Sequence, residues 1–133
     1  MNINNEIIYR AWDKNKKKML CFESLKDFKI GFFSNNYDYN LMRYTGVNDS
    51  DWDEIYEGDI VLIQSIESDG DDFDDFYGIV NFSDGSFFIA GENIHNWNIE
   101  GYGDNLRVVG NVYENIELLN KLVKDRKIRT DYW

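Results

Sequence analysis

Asp49, Asp51 and Asp53 alternate in the order that opens an EF-hand calcium loop, which draws ligands from its first, third and fifth positions. The sixth position, where the loop needs Gly for its sharp turn, is Glu54, and the twelfth, where it needs a bidentate Glu, is Ile60. The template fails at both, and no metal site is expected. A second acidic run, Asp69, Asp71, Asp72, Asp74 and Asp75, lacks ligand spacing and would hold a cation only weakly. Glycosidase-type chemistry needs two carboxyls held across a cleft in different environments. These acids instead cluster in segments that read as solvated loops. Cys21 and His95 are single residues of their type, so neither a zinc set nor a Cys–His or Ser–His–Asp arrangement can be assembled. Gly101-Tyr102-Gly103 lacks the third Gly and the following helix of a phosphate loop. The expectation is a protein without catalytic residues, metal or cofactor, which acts by binding.

Charge is the informative global property. The net charge is −11 over 133 residues, and it is unevenly spread. No Lys or Arg occurs between Tyr44 and Leu106, a segment holding 16 of the 25 acids, while all 14 basic residues lie toward the two ends. Such a middle segment cannot neutralise phosphates, which excludes it as a direct nucleic-acid surface. The basic ends, Lys14, Lys16, Lys17 and Lys18 in one turn and the run from Lys121 to Arg129, read as a solvated face or as a mate for another subunit's acidic middle.

The elements that must position these groups are mostly strands. Glu6–Trp12 and Lys18–Glu23 read as a hairpin about a polar Lys-rich turn, with Cys21 a buried, inert thiol in the return strand. Phe28, Ile30 and Phe32 alternate as in a further strand over Leu25–Phe33. Leu41–Thr45 is a short strand ended by Gly46, and Asn48–Glu54 an acidic loop. Gly58–Glu67 is apolar on both faces at its start, which places it centrally. Tyr77–Phe82 and Ser86–Ala90 flank Asp84-Gly85 as a tight hairpin. Gly91–Asn105, with His95 and Trp97, reads as a long loop. Leu106–Tyr113 is a strand bent at Gly110. Asn115 caps a closing helix, Ile116–Lys127, with Ile116, Leu119 and Val123 at helical spacing. Short strands, tight turns and one final helix predict a mainly β, antiparallel barrel or sandwich. No segment is a leader peptide or a membrane span, so the cytoplasm is the expected compartment.

Three segments together carry a family resemblance. They are Tyr9-Arg10-Ala11-Trp12-Asp13 with its Lys-rich turn and Met19; Leu41-Met42-Arg43-Tyr44-Thr45-Gly46 followed by Glu54-Ile55-Tyr56-Glu57-Gly58-Asp59-Ile60-Val61; and Val109-Gly110-Asn111-Val112-Tyr113-Glu114-Asn115 running into Glu117-Leu118-Leu119. In order and spacing the chain resembles the YopX family of phage and prophage proteins. The resemblance implies a small SH3-like barrel in the C-terminal region and a phage origin inside a bacterial cell. With the hairpin read from the strands, the expected division is an N-terminal β-hairpin subdomain in residues 1–40 and the barrel with its closing helix in residues 41–133. It implies no activity. The chain departs from the family pattern in its Asn48–Asp53 loop, acidic here and usually basic and Gly-bearing, and at Ile116, where Pro is common. The residues themselves give the central motif a structural role: Gly58 turns the chain, Asp59 bonds the turn backbone, and Ile60 and Val61 enter the core.

Two functions fit. In the first, a phage accessory protein binds a host or phage protein, with its acidic face mimicking nucleic acid on a polymerase, a nuclease or a defence effector. The face would comprise Asp49, Asp51, Asp53, Asp69, Asp71, Asp72, Asp74 and Asp75, with Trp52 and Trp97 as aromatic contacts. An extended Asp49–Asp53 segment would set carboxylates about 7 Å apart, within a factor of two of DNA phosphate spacing. In the second, the chain is an assembly module whose basic ends meet the acidic middles of neighbouring copies. Neither function requires direct nucleic-acid or membrane binding.

Overall fold

The computed structural model describes residues 8–34, 36–64, 76–91 and 94–125. Its strands form two antiparallel sheets, ordered β2-β1-β3-β4 and β8-β7-β6-β5-β9. The elements in chain order are β1 (Tyr9–Asp13), β2 (Lys18–Leu20), α1 (Phe22–Leu25), α2 (Ile30–Ser34), β3 (Tyr39–Asn48), β4 (Glu54–Tyr56), β5 (Asp59–Ile63), β6 (Phe76–Ser83), β7 (Ser86–Gly91), β8 (Ile94–Asn98), a 3-10 turn (Gly103–Asn105), β9 (Leu106–Asn111) and α3 (Ile116–Lys124).

The β1–β2 hairpin turns because the buried Asp13 carboxylate accepts the Asn15 and Lys16 N–H groups, each at 3.0 Å. Beyond β2 the structure departs from the sequence reading. Lys18–Glu23 is a strand only as far as Leu20, and the strand expected over Leu25–Phe33 is the pair of short helices α1 and α2. The alternation of Phe28, Ile30 and Phe32 also satisfies helical neighbourhood. Phe28 and Phe32 stack with centroids 5.8 Å apart, and Phe33 and Leu25 turn inward onto Tyr9 and Ala11. A helical turn supplies its own hydrogen bonds, such as Lys26 N–H to the Phe22 carbonyl, where a strand here would need a partner. Cys21 is exposed between β2 and α1, not buried in a strand. Its thiol lies 3.6 Å from the Ser24 hydroxyl, which lowers its pKa.

β3 does not end at Gly46. That residue, at φ +84°, takes the chain through an irregularity between the Tyr44↔Tyr56 and Asn48↔Glu54 pairs, and the strand runs on. One ten-residue strand therefore pairs with β1 over Tyr39–Arg43 and with β4 beyond, spanning the junction between residues 1–40 and 41–133.

β5 is central, between β6 and β9. Val61 and Ile63 join Ile55, Val80, Ile89, Ile99 and Leu106 in one core, and Ile60 joins Ile79, Leu119 and Leu122 in another. Each such side chain contributes about 1.5–3 kcal/mol on burial. Asp84 and Gly85 both have positive φ, as a two-residue type I′ hairpin requires. Gly110 marks a bulge: Ile60 pairs with Gly110 and Val61 with Val108. The segment expected to be a loop, Gly91–Asn105, contains β8, in which Trp97 pairs with Ile89. Asn115 does not cap α3 through its side chain. Its Oδ1 instead accepts the Asn111 N–H at 3.0 Å. The inward stripe of α3 is Leu119 and Leu122, whereas Ile116 and Val123 are exposed. Among the described residues no helix is long and apolar enough to cross a membrane.

Candidate functional site

The central motif is where the chain passes from one sheet to the other. Gly58, at φ +83°, donates its N–H to the Val80 carbonyl and accepts the Val112 N–H, both at 2.9 Å, so β6 and the end of β9 close on one residue. Asp59, 1% exposed, accepts the Tyr56 N–H at 2.8 Å through Oδ2, as the sequence reading expected. Its Oδ1 meets the Arg10 guanidinium of β1, whose face lies 4.5 Å from the Tyr56 ring centroid. Burial raises the Asp59 pKa to about 6 and outweighs the Arg10 charge, which acts to lower it. Trp12 stacks on Tyr113 beside this pair, completing a junction between the N-terminal sheet and the second sheet.

The acidic turn between β3 and β4 is compact, not extended. Asp49 is 2% exposed, and its Oδ1 accepts the N–H groups of Asp51 at 2.9 Å and Asp53 at 2.8 Å. Its Oδ2 accepts Val108 N–H of β9 at 2.8 Å. Carboxylate oxygens of Asp49, Asp51 and Asp53 lie within 4.8 Å of one another, which overturns the 7 Å ladder expected of an extended segment. Closing the turn onto the β9 edge gives the bonds an open strand would leave unmade. Asp49 is thus a structural residue and leaves the candidate face. Asp51 faces Arg107 at 3.2 Å, Glu57 takes the Arg43 Nε–H at 2.7 Å, and Asp59 takes Arg10. The acidic middle is accordingly part-neutralised by arginines of the chain itself.

What remains exposed converges. Ser50 N–H donates to the Leu106 carbonyl at 2.8 Å and Gln64 N–H to the Asn105 carbonyl at 2.7 Å. The β3–β4 turn, the 3-10 turn and the exit of β5 therefore share one end of the molecule. Asp51, Asp53, Glu54 and Asp104 are exposed on or beside these segments, as is Trp52, 82% exposed at φ +68°, and Glu100, also exposed, precedes the 3-10 turn. Glu100 and Asp104 were missed as members of the face because their segment reads as an undifferentiated loop. The signal was Gly103. A Cβ on Gly103 would sit 2.3 Å from the Asn48 carbonyl oxygen, so only Gly brings the 3-10 turn this close to β3. Gly103→Ala should lower stability by about 1–3 kcal/mol in chemical denaturation; an unchanged midpoint would contradict this packing. Asp69, Asp71, Asp72, Asp74 and Asp75 lie outside the described residues. The flanking Gln64 and Phe76 belong to this end of the molecule, Phe76 pairing with Ile63. Trp97 is placed in β8, away from the turn in sequence and paired to β7.

Two grooves flank β3 on its other half. One, of about 320 Å³, is lined by Met42, Glu57, Asn81, Tyr113 and Ile116 among others; the second, of about 530 Å³, by Ile30, Phe33, Tyr39 and Arg43. They share Leu41 and Glu57. Glu57, the carboxylate lining both, is engaged by the Arg43 side chain and by its backbone N–H.

A small two-sheet antiparallel protein, cornered at Glu54–Val61 and acidic at one end, is the class these observations define. The YopX protein family matches residues 26–120, and the chain belongs to that family. It is similar to a solved structure, the crystal structure of protein EF1440 from Enterococcus faecalis, at 25% identity and a TM-score of 0.60. That similarity covers 86% of this chain and 98% of the other. No curated protein matches the chain.

Proposed function

We propose that this chain is a non-catalytic accessory protein of phage type. Its acidic end binds a basic protein surface, one that otherwise holds nucleic acid. The observation that carries the reading is that Asp51, Asp53, Glu54 and Asp104 stand exposed, with Trp52, on or beside segments that backbone hydrogen bonds tie to one end of the molecule, Glu100 preceding the 3-10 turn. The flanks of residues 65–75, which contain Asp69, Asp71, Asp72, Asp74 and Asp75, reach the same end. Carboxylates steer a basic partner and set its association rate, and a central aromatic supplies the anchor. Membership of the YopX family agrees with a phage-type protein. The five-stranded sheet with its bulged β9 and closing α3 fits an SH3-like barrel, a scaffold that presents loops at its ends.

The test is capture from bacterial lysate on the immobilised full chain, with retained proteins identified by mass spectrometry. The expected result is retention of a basic protein that is eluted by salt and by duplex DNA or RNA. Retention should fall roughly tenfold when Asp71, Asp72, Asp74 and Asp75 are all changed to Asn. Replacing Lys14, Lys16 and Lys17 by Gln should matter far less. A partner that stays bound through about 0.5 M salt, where screening reaches only a few ångströms, would refute an electrostatic contact.

A further inference from the structure

We propose that the chain carries a second docking surface, a basic one at the opposite end of β3, and that its occupant is the acidic end of another copy of the chain. β3 runs from Tyr39 to Asn48, so its ends are separated by roughly 30 Å at about 3.3 Å per residue. At its start the Lys14 N–H donates to the Asp38 carbonyl at 2.9 Å, which ties the β1–β2 turn to the residues entering β3. Lys14, Lys16, Lys17 and Lys18 are exposed there around Tyr37, 91% exposed. The acids at this end are Asp38, exposed, and Asp13, buried and committed to the turn. At the far end stand Trp52 and the exposed carboxylates Asp51, Asp53, Glu54 and Asp104, with Arg107 held by Asp51.

The two most exposed large hydrophobic side chains among the described residues are therefore Tyr37 and Trp52, one set among lysines and the other among carboxylates. The complementarity is of charge and of aromatic surface together. Because the surfaces lie at opposite ends of one ten-residue strand, one molecule cannot satisfy both, but a second copy can. The contact is heterologous, head to tail, and propagates into a ring or a short chain. Trp52 is held outward by Asp49, whose carboxylate fixes the N–H groups of Asp51 and Asp53 on either side of it. This inference rests on the acidic end being a contact surface, as proposed above, and adds what it meets when no other partner is present.

The mass of the full chain in solution, by light scattering after size exclusion, tests it. At low ionic strength the mass should exceed that of one chain, and it should fall to one chain at about 0.5 M NaCl. Trp52→Asn, which suits positive φ, and the pair Tyr37→Ser with Lys16→Glu should each give a single-chain species. Mixed one to one, these two variants should form a two-chain species and nothing larger, since each retains the half the other lacks. A wild-type chain that stays single at low salt overturns the proposal, as does a mixture that fails to pair while the wild type associates. A captured basic partner alongside a single-chain species would leave the proposed function standing and remove this inference; assembly without any captured partner would do the reverse.

Discussion

Asp49→Ala should lower stability by about 3 kcal/mol and the melting temperature by roughly 10 °C. The carboxylate is buried, and its loss strands three N–H groups at once, those of Asp51, Asp53 and Val108. Water can reach the first two more readily than the third, which lies on the β9 edge, so the cost is below three full desolvation penalties. Asp49→Asn should fall about halfway: its carbonyl oxygen can keep the turn bonds, but its amide N–H₂ then opposes Val108 N–H. Asp53→Asn, at an exposed position, should change stability by less than about 0.5 kcal/mol. Urea unfolding followed by circular dichroism measures all three. A loss at Asp49→Ala as small as that at Asp53→Asn would show that the turn does not depend on this side chain.

The Arg10–Asp59 pair should give a comparably large effect, distinguished by its pH dependence. Removing one partner of a buried pair leaves the other charge uncompensated, at a cost of about 3–5 kcal/mol, so Arg10→Met and Asp59→Asn should each be severely destabilising. The double variant should lose less than either single one, since Met fills the Arg10 volume and Asn still accepts the Tyr56 N–H. Asp59 titrates near 6 in the folded chain, against 3.8 as the reference for an unburied Asp. The folded protein therefore binds this proton more tightly than the unfolded chain. The stability that Asp59 contributes grows as pH falls through about 6, and the gain is complete below about 3.8. Between pH 7 and 5 the wild type should gain about 1 kcal/mol relative to Asp59→Asn. A wild-type-minus-variant difference that is flat over that interval, or that moves the other way, would show that burial does not outweigh the Arg10 charge.

What could be read from the residues, and what could not, follows from the range of the interactions. The Asp84-Gly85 hairpin, the Gly110 bulge and the turn role of Gly58 and Asp59 were legible because each is decided within a few residues by backbone conformation or a local hydrogen bond. The helices at Phe22–Leu25 and Ile30–Ser34 were not. In so short a segment Phe28, Ile30 and Phe32 suit either period, and the choice is made by the distant Tyr9 and Ala11 that Leu25 and Phe33 cover. The inward face of α3 was misassigned for a related reason: Leu119 and Leu122 meet Ile60 and Ile79, contacts no local pattern shows. At the acidic end, composition located the carboxylates but not their fate. Asp49 bonds across 59 residues to Val108, and Asp59 across 49 to Arg10, so two acids that look like surface are interior.

The central claim is that the remaining acids make an electrostatic contact surface. It is tested most directly by the association rate of the full chain with its captured partner, followed by surface plasmon resonance at increasing NaCl. The association rate should fall at least roughly tenfold from low to about 0.5 M salt while the dissociation rate changes little, and that dependence should flatten when Asp53, Glu54, Glu100 and Asp104 are neutralised together. An association rate insensitive both to salt and to that substitution would contradict it.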